Sequence, residues 1–280
     1  MAIKFHTGIK QIQEASKPIA KAWELSLLHL ELDSKTKKIM EILGDHENLF
    51  INYNPYHNHY HFAEVIWGSA FLAKKEKIEE KYLESMVILL LAATFHDSDH
   101  PGRANKNPFE IEQKSADFFK SWWKNNSLFV ENILPMPPSN IEQAVRDLIL
   151  FTDFSHGVPK VITDYLVRRE NESFGLKINK LKKILNEADI LMNCLPHSGF
   201  KKTVAILGES VRQMPDETKW LMMLSFLQEN APHLFTSDAC KELKIDSLVR
   251  KFTQYLEENK HLMKDGIGFQ EEINAKFKQF

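Results

Sequence analysis

Strand-like sequence is scarce in this 280-residue chain, and glycine is rare, with 10 residues. Alternating or valine-rich runs hardly occur, while apolar residues recur at spacings of three and four, so the pattern predicts an all-α fold. Cysteine is scarcer still: Cys194 and Cys240 match no zinc or redox spacing and read as ordinary thiols of a reducing compartment. An excess of one charge is missing as well. The 36 basic and 38 acidic residues leave a net charge of -2, with no field to gather nucleic acid or an anionic membrane. The longest apolar run, Met86 to Phe95, is about ten residues, against the roughly 20 that span a bilayer, so a buried helix is expected and a membrane anchor excluded. The opening MAIKFHTGIKQIQE has neither the apolar core nor the cleavage site of a secretory signal, so a cytoplasmic location is expected. There is no Gly-rich phosphate loop, nucleophile elbow or CxxC motif, and nothing in the composition bears on oligomeric state.

What is present is enough apolar sequence, 43%, for a sizeable core. Helix breakers gather at Pro101-Gly102, at Leu134 to Pro138, at Ser198-Gly199 and at Gln213 to Pro215, and none resembles an interdomain linker. Ser139 and Glu142 have the spacing of a capping box, which predicts a helix start after the proline cluster. With no repeat or low-complexity tract, one helical domain over 1–280 is expected, its motif core at about 50–195.

Five of the 12 histidines fall in two short windows, Tyr56-His57-Asn58-His59-Tyr60-His61 and Phe95 to Asn105, and the second also holds Asp97 and Asp99. His57 and His61 stand at i and i+4, with Val65, Gly68 and Leu72 continuing the line of His61, so a helical reading places both histidines on an inward stripe. His96 and Asp97 emerge at the end of a helix from about Leu83 to Phe95 that is apolar nearly all round, and Pro101-Gly102 is expected to terminate it. A further helix, about Lys180 to Leu195, buries Leu181, Ile184, Leu185, Ala188, Leu191 and Met192, and Asp189 lies on that same face. A lone inward carboxylate costs several kcal/mol unless it is paired, protonated, hydrogen-bonded or metal-bound. Imidazoles and carboxylates are ligands for Zn2+, Fe2+, Mn2+ and Mg2+, so the clusters point to a metal site that Asp189 closes from a distant helix.

These residues resemble the catalytic domain of class I cyclic nucleotide phosphodiesterases, within the HD-domain metal-dependent phosphohydrolases. The Y-H-N-x-x-H signature is matched from Tyr56 to His61, and H-D-x-x-H-P-G-x-x-N from His96 to Asn105 without a gap. A Thr-Asp pair and an A-D-[LI] carboxylate follow at Thr152-Asp153 and Ala188-Asp189-Ile190, so the resemblance covers about 50–195. The departures are a separation of seven positions from Asn105 to Glu112 where the family has a long insertion, and Glu64 and Asn186 where it has Asp and His.

The resemblance implies that His61, His96, Asp97 and Asp189 hold a first metal, usually Zn2+, with Fe2+ as another candidate. Asp97 would bridge to a second ion, Mg2+ or Mn2+, whose outer shell would include Thr152, Asp153 and Glu112, with Glu110 as the rival glutamate. The pair of ions would activate a water for attack on a 3',5'-cyclic nucleotide and release the 5'-monophosphate. His57 would protonate the leaving oxygen and His100 would orient nucleophile or phosphate. Gln213 and Gln228 are the glutamines in the region where the family binds the base. Three other readings share the ligand set: an HD-type phosphohydrolase on a noncyclic nucleotide or phosphomonoester, an HD-type di-iron oxygenase, and a noncatalytic helical binding module. Trp122, Trp123, Phe226 and Phe235 are expected in the core rather than stacked on a base.

Overall fold

The computed structural model describes residues 3–32, 36–45, 54–76, 78, 82–131, 133–153, 178–210, 214–230 and 233–277. Among these residues every regular element is helical, as the scarcity of strand patterns predicts. The described residues fall into two compact units, Met1–Asp189 and Ile190–Phe280.

The first unit contains α1 (Phe5–Gln13), α2 (Pro18–Leu30), α3 (Lys37–Asp45), α4 (His59–Ala73), α5 (Tyr82–Phe95), α6 (Glu110–Glu131), α7 (Pro138–Leu150) and most of α8 (Ile178–Cys194). Its centre is α5, where every residue from Glu84 to Phe95 is buried. A helix apolar all round can only sit inside, and its neighbours fix it from several sides. The indole Nε1 of Trp23 on α2 donates to Thr94 Oγ1 at 2.9 Å, and Thr94 Oγ1 donates to Leu90 O at 2.7 Å. On another flank the Phe95 ring packs on Phe119 and Trp122 of α6, with centroids 5.1 and 5.0 Å apart. The C-terminal end of α5, from which the site grows, is therefore immobilised.

α4 and α8 approach closely because two small residues face each other: a Cβ added at Gly68 would lie 3.3 Å from the Cβ of Ala188. Lys180 then ties the start of α8 to the end of α4, its Nζ lying 3.4 Å from Glu76 Oε1 and donating to Glu76 O. Trp122 and Trp123 are buried, as expected.

Two expected helix limits are corrected. α7 begins at Pro138 with Pro137 before it and no side-chain cap, so the Ser139–Glu142 capping box does not form. Proline at the first helical position already has the required φ and no amide to satisfy, so the helix starts one residue ahead of the serine. α5 stops at Phe95, where its apolar pattern ends, and it is not Pro101-Gly102 that terminates it. The backbone amide and the hydroxyl of Ser98 both donate to Phe95 O, closing a turn in which His96 and Asp97 stand.

The second unit contains α9 (Gly199–Ser210), α10 (Asp216–Asn230), α11 (Asp238–Glu242), α12 (Ile245–Glu258), a 3-10 turn (Lys260–Asp265) and α13 (Ile267–Lys276). Its core is aromatic: Trp220 lies flat on Phe200 at 3.9 Å and meets the edge of Phe269 at 5.1 Å. Phe235 is buried, whereas Phe226 stays at the surface, against the expectation for it. No described helix is long and apolar enough to cross a membrane.

Candidate functional site

Asn58 decides how the first histidine cluster is used. Its backbone is extended and its side-chain Oδ1 accepts from the amides of Tyr60 and His61, so α4 starts at His59 and Asn58 caps it. His57 therefore precedes the helix, and the expected i, i+4 stripe of His57 and His61 is corrected: only His61 is helical. His61 is buried on α4, with the Tyr56 ring packed against it at 4.4 Å. His57 reaches the same region from the preceding turn, with its Nε2 3.7 Å from Asp97 Oδ2.

His96 is fully buried at the end of α5. Its Nδ1 is 2.9 Å from Ala93 O, and a carbonyl can only accept, so the ring proton is on Nδ1 and the Nε2 lone pair points away from the helix. That Nε2 lies 3.1 Å from Asp97 Oδ2, 3.4 Å from Asp189 Oδ1 and 3.3 Å from His61 Nε2. His61 Nε2 is in turn 3.3 Å from both Asp97 Oδ2 and Asp189 Oδ1. The structure thus brings together all four side chains expected of the first metal, from α4, the turn after α5, and α8.

The fit to a cation is close. Ligand bonds of about 2.0–2.2 Å give a tetrahedral site with edges of about 3.3–3.6 Å. Burial opposes charge on His61 and His96, but Asp97 and Asp189 outweigh it and raise both imidazoles, His96 strongly. Burial likewise works against ionising Asp97 and Asp189, yet the histidines hold Asp97 well below the usual carboxylate range and Asp189 at about 2. The cluster is arranged for a positive charge at its centre.

A second group lies beside it. Thr152 and Asp153 follow α7 directly, both buried, and Thr152 Oγ1 donates to Ile149 O at 2.8 Å. Asp153 Oδ2 accepts the amide of Phe109 at 2.8 Å. Glu112, in the first turn of α6, is buried, and Asn105 Nδ2 donates to its Oε2 at 2.8 Å. Burial first, with the charges of Asp153 and Asp97 adding to it, pushes the Glu112 carboxyl up to about 7 despite that hydrogen bond. Glu110 is differently placed: it pairs with Arg103 and accepts the Lys106 amide, and the Arg103 hydrogen bond holds it down at about 2. Of the two rival glutamates, Glu112 is the one whose carboxyl feels the charges of Asp153 and Asp97.

His100 stacks on His57, ring centroids 3.4 Å apart and planes 21° from parallel. The Gly102 amide donates to His100 Nδ1 at 3.1 Å, so a neutral His100 carries its proton on Nε2. Asn54 Nδ2 donates to His100 O at 2.8 Å and packs under Gly102, whose φ of +68° puts it in the left-handed region. Gln228 belongs to the second unit, where it lines a surface groove and its Nε2 donates to Glu257 Oε2. Gln213 lies outside the described residues. Sequence reading missed Asn54, Asn58 and Asn105 as holders of the site; the signal for two of them was their place inside the motifs.

The sequence pattern of the 3'5'-cyclic nucleotide phosphodiesterase family matches residues 56–239, more than half of the chain. The chain belongs to this family. Both histidine signatures and all four side chains of the cluster that could hold a metal fall inside the matched phosphodiesterase region, and the family is metal-dependent. The human high affinity cAMP-specific and IBMX-insensitive 3',5'-cyclic phosphodiesterase 8A is 50% identical over 54 residues, covering 19% of this chain and 6% of that protein. A probable 3',5'-cyclic phosphodiesterase, pde-3 of Caenorhabditis elegans, is 25% identical over 210 residues, covering 59% of this chain and 31% of that protein. The chain thus spans less than a third of the length of these curated relatives. The phosphodiesterase domain of the RhoPDE fusion protein from the choanoflagellate Salpingoeca rosetta shares the fold, with a TM-score of 0.53 over 99% of this chain and 92% of that one at 14% identity. The all-α phosphodiesterase architecture is therefore shared along this chain.

Proposed function

We propose that this chain is a metal-dependent hydrolase that opens a 3',5'-cyclic nucleotide to the nucleoside 5'-monophosphate. The observation that carries the reading is the convergence of His61, His96, Asp97 and Asp189 at tetrahedral edge lengths. Two imidazoles with two carboxylates suit Zn2+ at the first site, and Asp97 would bridge to a second ion, Mg2+ or Mn2+, held mainly by water with Thr152, Asp153 and Glu112 in its outer shell. Bound there, the ions would supply a nucleophile at neutral pH by lowering the pKa of a water and would neutralise the phosphate oxygens.

The side chains supply the rest. A proton on His57 Nε2 faces Asp97 Oδ2, beside the cluster, where it can be delivered to the departing ester oxygen. His100 Nε2–H is a donor held in orientation by Gly102 and by the stacked His57 ring, suited to a phosphate oxygen or the attacking water. The family match crosses residue 189, which supports a single catalytic domain over 1–280. The thiols of Cys194 and Cys240, both buried, accord with a cytoplasmic setting.

Assay of the zinc- and magnesium-loaded protein against cyclic AMP, cyclic GMP and a panel of 5'-nucleotides tests the proposal. Turnover of at least one cyclic nucleotide is expected. Inactivity on both, with release of phosphate from a 5'-nucleotide, would replace it by a noncyclic phosphohydrolase.

A further inference from the structure

Resting on the two-metal reading above, we propose that Asn105 is a positioning residue for the second cation, aiming the Glu112 carboxylate across a loop of only seven positions. Both ends of the Asn105 amide are engaged. Its Oδ1 accepts the Ile111 amide at 2.9 Å, satisfying one of the exposed donors at the start of α6. Its Nδ2 donates to Glu112 Oε2 at 2.8 Å. The first bond serves the helix. The second serves nothing in the helix; it fixes the direction of a buried carboxylate, which is how outer partners of a metal site act.

The loop is built to put Asn105 there. Gly102 and Phe109, near its two ends, both adopt left-handed backbone, φ +68° and +61°, and for a bulky phenylalanine that is a conformation kept only where the surroundings impose it. Directly after Phe109, Glu110 closes the loop by pairing with Arg103 and accepting the Lys106 amide. The strained residue has a second consequence, since its amide is the one that donates to Asp153 Oδ2. One short loop thereby holds the two outer-shell carboxylates of the second site, Glu112 through Asn105 and Asp153 through Phe109.

The test is a Mn2+ titration of zinc-loaded protein, followed by the EPR signal of free Mn2+, with zinc content and melting temperature as controls. Asn105→Ala is expected to weaken Mn2+ binding by about 10- to 100-fold with zinc content unchanged. Asn105→Ser, which keeps a capping oxygen beside Ile111 but is too short for Glu112, is expected to do the same if the alanine variant folds poorly. In a Glu112→Ala background neither substitution should weaken binding further, because the effect passes through that carboxylate. Wild-type affinity in both variants, or a full additional loss in the Glu112→Ala background, overturns the assignment. Failure of the wild type to bind Mn2+ beside its zinc overturns the two-metal reading itself and is seen before any variant is made.

Discussion

The two acidic neighbourhoods of the first unit are built on opposite plans. Around His96 the donors come from the end of a fully buried helix, from the first turn of α4 and from α8, and both signs of charge are present. Around Glu112 they come from the first turn of α6 and the chain after α7, they are carboxylates, and a loop amide and a loop backbone N–H hold them. In the first cluster the carboxylates raise His61 and His96 while the histidines hold the carboxylates down, whereas in the second burial and the neighbouring acids push the Glu112 carboxyl up to about 7. A mixed cluster is thus preorganised before it is loaded, whereas an all-carboxylate one depends on its cation or on protons.

The largest effect should come from breaking the mixed cluster. Asp97→Asn or Asp189→Asn removes a ligand charge worth several kcal/mol of transition-state stabilisation, so turnover should fall about a thousandfold or more. Metal analysis beside the assay should show the zinc lost; full activity in either variant would exclude the site. Next, His57→Gln should lower kcat by about 10²- to 10⁴-fold with zinc retained if His57 is the proposed proton donor rather than a metal ligand. Loss of zinc with activity would instead make His57 a ligand.

Sharpening the contrast, Glu112→Gln should cut Mn2+ affinity by about 10- to 100-fold without touching zinc. The same variant has a pH signature in metal-free protein. Glu112 binds its proton more tightly folded than unfolded, so between the ordinary value of 4.5 and about 7 the native state holds more protons, and its stability falls as pH rises through that window. The loss is at most about 3 kcal/mol, and urea unfolding of the Gln variant should show a flatter profile over that range. The smallest effect is expected at the α4–α8 crossing: Gly68→Leu has to displace Ala188, costing about 1–3 kcal/mol of stability, and should weaken zinc by moving Asp189 away from His61. Calorimetry with and without zinc separates the two consequences.

Much of this arrangement was legible in the residues. The apolar periodicity of α5 and α8 marked their extent to within a residue or two, because buried faces repeat with the helical turn. Asp189 stood out as a carboxylate on an apolar stripe, which physics does not leave unexplained. Elsewhere local competition went the other way: Asn58 is a better cap than His57 is a helical residue, and Pro138 starts α7 ahead of Ser139. Glu110 and Glu112 are chemically equal in sequence, and only Arg103 folding back onto one of them separated their roles.

By itself, then, the sequence determined the helical class, the ligand types and their order, since burial periodicity and donor chemistry are local properties of side chains. The tertiary structure decided which atoms meet. The 3.3 Å from His61 to Asp189 depends on Gly68 and Ala188 letting two helices touch, and the inward turn of Glu112 depends on Asn105 reaching across its loop. Contacts between residues distant in the chain are set by packing volume and by competition for hydrogen bonds, which no local pattern encodes.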